Sequence, residues 1–434
     1  FMEDQNNDQY NCYEVSRVAI VLVIVLVFHE QTNALVLPSK SFKVVNRGKL
    51  ASYVAEYNSN YRVLPLSAAP FLLGFYNTTP NAFTLAIGLG MTKSNSGIKW
   101  VWDANRGRPV KENAVLSFGQ DGNLVLADAD GSIAWQSGTA NKGVAGISLL
   151  SYGNLVLVDG KNKTVWQSFD FPRDTVIPGQ TLRYQGPKTL TSRVSEKDGS
   201  NGPYSFQLEQ AHWTLFYTVK GKRLGYYKSE EFATSGFLAN FTFGVSETNA
   251  YFDYSLIGSP STGSRYYGQL RFPTPYAIFR MEWDGNVRVY TYLDTKVKQW
   301  ENVLEIFDRF TECDLPARCG SFGLCSEDQC VGCPRPEGLT GWSKTCAPPP
   351  TPPCNGGRAS GTYYEVVGVD HFLSGYNDGI RRVSLGACRG RCDKDCECLG
   401  YFYNKNTSSC ILAPVLGTLR ELSDSDHVGY IKTV

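Results

Sequence analysis

Two stretches of the chain are nearly the same, DGNLVLADADGSIAWQ at 121–136 and YGNLVLVDGKNKTVWQ at 152–167. Their asparagines, Asn123 and Asn154, are 31 positions apart, and so are their tryptophans. In each copy, two leucines fall on one side of a strand and a valine on the other, before a turn that contains Asp and Gly. Alternation is the period of a half-buried strand. The repeat therefore predicts a β-hairpin that occurs twice.

A third tryptophan extends the pattern. Trp102, in IKWVWDANRG, lies 33 positions before Trp135, and Trp166 follows in the second copy. Near-equal spacing of three large rings predicts three hairpin-based sheets that pack these rings on a shared axis. Short strands and turn signals dominate between Phe42 and Trp166, and helical periodicity is hard to find there. We therefore expect an all-β front half.

The composition is that of a globular protein with several domains. The 434 residues are 42% hydrophobic and 19% charged, which is enough apolar residue to form ordinary hydrophobic cores. We therefore expect disorder only in linkers. The formal net charge is +1 and no long basic run occurs. Binding to nucleic acid requires many phosphate-neutralising cations, so the charge argues against that class of partner. It gives no support for a membrane-surface role either.

An apolar run from Val18 to Phe28 lies near the start of the chain. As a helix its 11 residues would reach about 16 Å, which is too short for a bilayer core of about 30 Å. Arg17 precedes the run and small residues lead up to Ala34, so we expect a signal peptide over 1–34. The residues before Arg17 are unusually acidic for a leader, and a buried core strand is the alternative. No later segment predicts a membrane span.

The cysteines divide the chain into two parts. Of 13, Cys12 lies in the expected leader and the other twelve fall between Cys313 and Cys410. An even number in one dense block predicts disulfides and an oxidising compartment. Four sequons indicate a secreted glycoprotein, with acceptors at Asn77, Asn162, Asn240 and Asn406.

Several motifs occur in the order that they have in plant bulb-type lectins and S-locus glycoproteins. They are VWDANRGRPV at 101–110, DGNLVLAD at 121–128, VWQSFDFPRDTVIPGQTL at 165–182, CGSFGLC at 319–325, CLGYFYNKNTSSC at 398–410 and HVGYIK at 427–432. The chain resembles the secreted, kinase-less members of that group, the epidermis-specific glycoproteins. The segment RMEWDGNVRVYTYLD at 280–294 fits a second, more divergent lectin-like body, because it contains another Asp-Gly-Asn followed by alternating residues.

The resemblance implies an all-β fold of tandem bulb-lectin β-prisms, followed by a disulfide-rich EGF-like module and an α+β PAN/apple domain. The first prism would have three four-stranded sheets. The implied boundaries are 35–169 for the first lectin domain, 170–305 for the second, 306–347 for the EGF-like module, 348–353 for a Pro-rich linker and 354–434 for the PAN/apple domain. Five prolines between Cys346 and Cys354 predict an extended spacer that holds the two modules apart.

The resemblance also implies where a sugar would bind. In mannose-binding bulb lectins the pocket motif is Q-x-D-x-N-x-V-x-Y. Alternate residues of a strand point the same way, so these five side chains form one row of hydrogen-bonding groups with an apolar contact. The first repeat matches the motif at Asp121, Asn123 and Val125. The second domain matches it at Asp284, Asn286 and Tyr290.

No row is intact. The first has Gly119 and Ala127 at its ends, and the row of the second domain has Glu282 and Arg288. The second repeat keeps only the Asn and Val positions. Asp-Gly-Asn is also ordinary turn chemistry, in which both side chains bond their own backbone. The sequence thus leaves two interpretations open, weak or altered glycan binding and a purely structural turn.

The resemblance supplies a disulfide pairing, whereas six cysteines alone allow 15 connectivities. The EGF-like pattern implies Cys313–Cys325, Cys319–Cys330 and Cys333–Cys346. The PAN pattern implies Cys388–Cys410 and Cys392–Cys398, which leaves Cys354–Cys396. The alternative is a zinc site formed by Cys330, Cys333, Cys396 and Cys398. It is disfavoured because it would leave other cysteines unpaired in an oxidising compartment.

A short helix is predicted within the PAN segment. Ser384 is a suitable N-cap, and Cys388 and Cys392 are four residues apart, so both would lie on one face of the helix.

No catalytic arrangement is indicated. Beyond the leader the only histidines are His212, His371 and His427, without metal-ligand spacing, and no nucleophile elbow or phosphate loop occurs. We interpret His371 as a structural hydrogen-bonding residue.

We therefore expect a secreted glycoprotein of the cell wall or extracellular space that needs no metal or cofactor and binds glycans or glycoproteins, mannose-type sugars among them. The alternative is a structural glycoprotein that has lost sugar affinity and self-associates into homo-oligomers. Exposed strand edges would make such assembly easy.

Overall fold

The structure is a computed structural model that describes residues 36–232, 236–293, 299–307, 311–354 and 361–434. The signal peptide expected over 1–34 lies outside the described residues, as does Cys12.

Residues 36–170 form the first β-prism. Its strands are β1 (Phe42–Val45), β2 (Asn60–Ala68), β3 (Phe71–Thr79), β4 (Ala82–Gly90), β5 (Ile98–Asp103), β6 (Val115–Phe118), β7 (Leu124–Ala127), β8 (Ile133–Gln136), β9 (Val144–Leu149), β10 (Leu155–Asp159) and β11 (Thr164–Gln167). They pair as three antiparallel sheets in the orders β1-β6-β7-β8, β2-β3-β4-β5 and β11-β10-β9. The two sequence repeats are the hairpins β7–β8 and β10–β11, each with a register shift in the middle of the pairing. The repeated hairpin is thus confirmed.

The three tryptophans meet on the axis of this prism. Trp102 from β5, Trp135 from β8 and Trp166 from β11 have ring centroids 5.8 to 6.0 Å apart, each pair close to edge-to-face. Such pairs contribute about 0.5–1.5 kcal/mol each beyond the burial of their area. One ring comes from each sheet, so the predicted shared axis is confirmed.

The third sheet of the first prism has three strands and not the four that the resemblance implied. The next strand, β12 (Thr175–Val176), pairs with a strand of the second prism instead. The chain leaves the first prism through a 3₁₀ turn at Ser168–Asp170. Strand β12 therefore belongs to the second prism, and the third sheet of the first prism has three strands.

The second β-prism has three four-stranded antiparallel sheets. Its strands after β12 are β13 (Thr181–Arg183), β14 (Thr189–Arg193), β15 (Asn201–Leu208), β16 (Trp213–Val219), β17 (Lys222–Lys228), β18 (Phe237–Val245), β19 (Asn249–Ile257), β20 (Thr262–Gln269), β21 (Ala277–Met281), β22 (Val287–Leu293) and β23 (Gln299–Glu305). The orders are β12-β21-β22-β23, β13-β18-β19-β20 and β14-β15-β16-β17. Buried phenylalanines fill its core, with Phe252 against both Phe241 and Phe279.

A buried ionic network joins the two prisms. Arg280, on β21, donates to the Glu56 carboxylate at 2.7 Å and to the Trp100 carbonyl at 2.7 Å, both in the first prism. In the opposite direction, Arg106 of the first prism donates to Asp174 at 2.7 Å. These side chains are almost wholly buried. Each prism thus supplies charge that the other neutralises.

The cysteine-rich part contains β24 (Phe322–Ser326), β25 (Gln329–Arg335), β26 (Gly338–Gly341), β27 (Thr362–Val367), β28 (Val369–His371), α1 (Leu385–Asp393), β29 (Gly400–Asn404), β30 (Ser409–Ala413), β31 (Gly417–Glu421) and β32 (His427–Thr433). One sheet has the order β26-β25-β24-β31-β28 and the other β27-β32-β29-β30. Strands β24 and β31 run parallel, from Phe322 opposite Gly417 to Cys325 opposite Arg420. The Pro-rich linker therefore connects two segments that share a sheet and does not hold them apart.

Six disulfides staple this part, and they are the pairs that the resemblance implies. They are Cys313–Cys325, Cys319–Cys330, Cys333–Cys346, Cys354–Cys396, Cys388–Cys410 and Cys392–Cys398. The four cysteines of the zinc alternative are all in disulfides. The predicted helix is α1, where the Ser384 hydroxyl accepts from the Ala387 N–H at 3.3 Å and Cys388 and Cys392 are buried on one face.

The cysteine-rich part packs on sheet β14-β15-β16-β17 of the second prism. Phe372 and Tyr376 contact Tyr217 and Phe216, with ring centroids about 6 Å apart. The Tyr376 ring lies directly over Gly225, where a β-carbon would approach it to 2.5 Å. Phe372 belongs to the same buried cluster as the core of the second prism, so the two bodies share apolar packing.

Candidate functional site

The first predicted sugar row contains an asparagine, Asn123, whose side chain makes hydrogen bonds within its own hairpin and to the segment that follows. The Asn123 amide donates to Gln136 Oε1 at 3.0 Å, and its Oδ1 accepts from Ser137 Oγ at 3.0 Å and the Thr139 N–H at 3.1 Å. Asp121 accepts from the Asn123 N–H at 3.1 Å and closes the turn. Asn123 is buried, so its amide ties the turn to the segment that follows β8.

The same arrangement recurs in the other two rows. Asn154 donates to Gln167 Oε1 at 2.8 Å and accepts from Ser168 Oγ at 3.2 Å. Asn286 donates to Glu305 at 3.4 Å and accepts from the Phe307 N–H at 3.3 Å. In each copy the asparagine binds the end of the return strand and the backbone or hydroxyl just beyond it. The asparagine of the repeat is therefore first a structural residue in all three hairpins.

The row of the second prism lies in a cleft between the two prisms. The cleft has a volume of about 410 Å³, and Glu282, Asp284, Arg288 and Tyr290 form one wall. The first prism supplies the opposite side through Glu56, Tyr57, Ser96 and Lys99. The ring of Trp283, 39% exposed, lies at the rim. Of the three rows, this one is placed in a concave, solvent-open site with polar groups on two sides.

Tyr290 is the centre of the cleft wall. Its hydroxyl donates to Glu282 Oε1 at 3.0 Å, and Lys99 Nζ lies 4.1 Å from the centroid of its ring. The same ammonium group is paired with Glu56 at 2.7 Å. A lysine on an aromatic face is held by the ring quadrupole. The two prisms are thus in direct contact at the residue that the motif reserves for a sugar-binding tyrosine.

Arg288 takes the place of the apolar residue in the motif. Its guanidinium pairs with Asp284 at 2.7 Å and with Glu305 at 3.1 Å. The Asp284 carboxylate, which would otherwise face a ligand as a free acceptor, is therefore partly neutralised. Arg288 also brings donor N–H groups to a position where the motif has a methyl surface. This row offers a sugar more hydrogen bonds and less apolar contact than the family motif.

Glu282 replaces the glutamine of the motif. It is buried, and burial raises the pKa of its carboxyl group, although Arg280 counteracts the shift. Glu282 accepts from the Tyr290 hydroxyl, as the oxygen of a glutamine amide could. It has no N–H donor, so it replaces only the acceptor part of the missing amide.

The sequence pattern alone did not identify Lys99 or Trp283. Lys99 lies on β5 and Trp283 within the Asp-Gly turn before β22. Only the packing of one prism on the other brings Lys99 to the cleft. The signal that could have found Trp283 is its position beside a motif residue, because an aromatic ring at a turn that faces a sugar row can stack on the sugar.

A larger cleft of about 720 Å³ lies in the cysteine-rich part. Asp370, Arg381 and His427 are among the residues that line it. None of the residues of the predicted sugar rows lines it.

Among the described residues, no group of three His, Cys, Asp or Glu side chains could hold a metal ion. His371 is buried, its Nε2 is 2.8 Å from the Val415 carbonyl, and its Nδ1 accepts from the Leu373 N–H at 3.2 Å. This geometry confirms the structural interpretation of His371. None of the helices within the residues that the structure describes is long and apolar enough to cross a membrane.

The four sequons differ in exposure. Asn162 and Asn406 lie in exposed turns, and Asn240 is exposed on β18. Asn77 lies on β3, opposite Asn60, and is only 6% exposed.

Comparison with known proteins finds lectin-type and secreted relatives of the chain. The D-mannose binding lectin family matches residues 99–197, from β5 of the first prism into the second. "EP1-like glycoprotein 2" of Arabidopsis thaliana is 40% identical, in an alignment that covers 96% of this chain and all of that protein. The chain belongs to the EP1-like glycoprotein family.

Two further relatives place the family among lectin-type proteins. The "Epidermis-specific secreted glycoprotein EP1" of Daucus carota is 42% identical over 77% of this chain and 94% of its own length. A "G-type lectin S-receptor-like serine/threonine-protein kinase" of Arabidopsis thaliana is 28% identical over 96% of this chain and 50% of its own length. Among solved structures, a two-domain fetuin-binding lectin of Scilla campanulata aligns at 15% identity over 61% of this chain with a TM-score of 0.19, which is too low to support any conclusion here.

Proposed function

We propose that the chain is an extracellular, non-catalytic glycan-binding glycoprotein whose binding site is the cleft between the prisms. The observation that carries the proposal is that Asp284 and Tyr290, two matched positions of the lectin row, lie with Glu282 and Arg288 in a concave site that Lys99 completes from the other prism. The location outside the cell follows from the six disulfides and from the relative named as a secreted glycoprotein.

The expected ligand is a neutral, mannose-type sugar on a glycan or glycoprotein of the cell wall or extracellular space. Most charges at the cleft are paired within the chain, Arg288 with Asp284 and Lys99 with Glu56. A ligand therefore meets mainly dipoles, donors and paired charges, together with the carboxyl groups of Glu196 and Glu282, which form no ion pair with another described residue. Trp283 at the rim offers a ring for the apolar face of a sugar. Affinity should be weak, because two positions of the row depart from the motif and each hydrogen bond contributes only about 0.5–1.5 kcal/mol.

The test is a gain of function. The double substitution Glu282→Gln and Arg288→Val completes the five-residue motif, so we expect mannose-type binding to strengthen by roughly tenfold, the factor that about 1.4 kcal/mol gives. Tyr290→Phe should weaken whatever binding the wild type shows, because the hydroxyl is lost. Binding is measured by calorimetry and on a glycan array at high protein concentration.

The matched control is Asp121→Ala in the first row, which should leave cleft binding unchanged. If the double variant folds but gains no affinity for any sugar, the cleft is not a lectin site. If Asp121→Ala abolishes binding while Tyr290→Phe does not, the site is the first row.

A second function has support from the rows themselves. All three asparagines are bonded within the chain, and Tyr152, half exposed, stands where the second row would need Asp. A lectin fold that has lost sugar affinity and self-associates would fit these facts. Light scattering over a range of protein concentrations, with and without mannose, separates the two. Oligomers that form regardless of sugar, without glycan binding, would favour the structural role.

A further inference from the structure

One sheet of the second prism presents a polar band to solvent that the cleft does not use. In the sheet β13-β18-β19-β20, residues on one face align across the four strands. One cross-strand row is Thr181, Thr242, Asp253 and Ser264, and the next is Arg183, Asn240, Ser255 and Thr262. Because strands lie about 4.8 Å apart, each row extends roughly 14 Å across the sheet. Hydroxyl, amide and charged groups therefore form a continuous patch of two rows, called here the polar band.

The polar band is a shallow trough with aromatic and apolar borders. The trough has a volume of about 610 Å³ and is lined by the side chains of both rows. At one end Tyr251 and Tyr266 lie side by side, with ring centroids 6.2 Å apart, and Tyr266 is 63% exposed. At the other end Phe237 is opposite Ile257, and both are exposed. Polar groups between exposed rings suit a ligand with many hydroxyls and apolar ring faces.

Hydrogen bonds inside the polar band are few and accessible. Thr181 and Thr242 hydroxyls are 2.8 Å apart, and the Asn240 amide donates to Ser255 Oγ at 3.0 Å. The Ser264 hydroxyl donates to Asp253. Each of these groups has further donor or acceptor capacity. A saccharide in the trough could therefore add bonds without breaking the sheet.

Asn240 lies near the middle of this patch and is the acceptor of the sequon Asn240-Phe241-Thr242. Its amide nitrogen would carry the first sugar of an N-glycan, so that sugar would begin inside the trough. We propose that the N-glycan on Asn240 docks on the polar band, with its core sugars held by Asp253, Ser255 and Ser264 and packed towards Tyr251 and Tyr266. The glycan then acts as a structural cover of the second prism. This inference requires passage through the secretory pathway but does not depend on sugar binding in the cleft.

Docking predicts slow removal of this glycan from the folded protein. The test uses the full chain, produced with high-mannose glycans and digested with endoglycosidase H under native conditions, with release at each site followed by mass spectrometry. The Asn162 glycan, on an exposed hairpin turn, is an internal control. We expect release at Asn240 to be roughly tenfold slower than at Asn162, the factor that about 1.4 kcal/mol of docking gives. After denaturation both sites should be cut at the same rate.

Two variants isolate the polar band. Ser255→Ala combined with Ser264→Ala removes two of the proposed contacts without changing the sequon. The double variant should raise the rate of glycan release at Asn240 towards the rate at Asn162. Ser132→Ala, an exposed serine on a hairpin turn of the first prism, should leave it unchanged. Equal native rates at the two sites, an Asn240 without glycan, or a slow rate that the double variant does not alter would each overturn the proposal.

Discussion

At the scale of single residues, the asparagine of the repeated hairpin has one role in three places. Asn123, Asn154 and Asn286 each connect their turn to the end of the return strand. A motif that serves the fold can persist in every copy whether or not a sugar binds there. The presence of Asn-x-Val in a row is therefore weak support for a sugar site. Whether a sugar can bind there depends on the other residues of the row.

This structural role predicts a loss of stability in Asn123→Ala. The substitution removes three hydrogen bonds and leaves the buried Thr139 N–H without its acceptor. We expect the free energy of unfolding to fall by about 2–3 kcal/mol. Urea unfolding followed by tryptophan fluorescence reports it, because Trp135 lies on the same hairpin. Asp121→Ala loses one hydrogen bond at an exposed turn, so it should lower the free energy of unfolding by about 1 kcal/mol or less. Equal losses in the two variants would contradict the role given to Asn123.

The sequons also give a prediction at this scale. A glycan on Asn77 is incompatible with its burial on β3, whereas Asn162, Asn240 and Asn406 have room for one. Glycopeptide mapping of the secreted protein should find the three exposed sites occupied and Asn77 unmodified. Full occupancy at Asn77 would mean that β3 is packed differently from the structure described above.

At the scale of elements, local patterns and long-range packing differ in how far they could be predicted. The hairpins β7–β8 and β10–β11 and the helix α1 follow from periodicity and capping, which a sequence carries within a few residues. The cleft does not. Lys99 and Tyr290 are far apart in the chain and meet only because one prism packs on the other. No local signal shows, either, that the third sheet of the first prism has three strands.

The element that contains His371 should be sensitive to acid. Burial lowers the pKa of the His371 imidazole to about 4, below the ordinary value of 6.5. Between these two values the unfolded chain binds more protons than the folded one, so stability is fully present above pH 6.5 and decreases as the pH falls towards 4. The loss amounts to up to about 3 kcal/mol.

Unfolding of the wild type and of His371→Gln, measured at several pH values with the disulfides intact, checks this expectation. The variant is less stable at neutral pH but should show a smaller change between pH 6.5 and 4. If both proteins lose the same stability over this interval, another group controls the acid response. His427→Gln, at a half-buried histidine whose Nδ1 lies 2.9 Å from Asp424, is measured in parallel to separate the effect of His371 from that of another histidine.

At the scale of the whole molecule, buried charge makes the two prisms dependent on each other. Burial opposes the ionisation of Glu56, but Arg280 and Lys99 together keep the pKa of its carboxyl group below the ordinary value. Arg280→Ala leaves this carboxylate buried beside Lys99 alone. Removal of one partner of a buried ion pair costs about 3–5 kcal/mol.

Calorimetry should therefore show a lower transition temperature for Arg280→Ala and a separation of the unfolding of the two prisms into distinct steps. Arg47→Ala, a substitution of an exposed arginine in the first prism, is the control and should change neither. A single transition at the wild-type temperature in Arg280→Ala would show that the prisms are coupled by other contacts.

The parallel pairing of β24 with β31 has a consequence for a chain that is cut. None of the six disulfides crosses from 313–346 to 354–410. A single protease nick in the proline-rich stretch would thus leave two pieces with no covalent bond between them. The shared sheet should keep those pieces together through gel filtration, and they should separate only in denaturant, even without reductant.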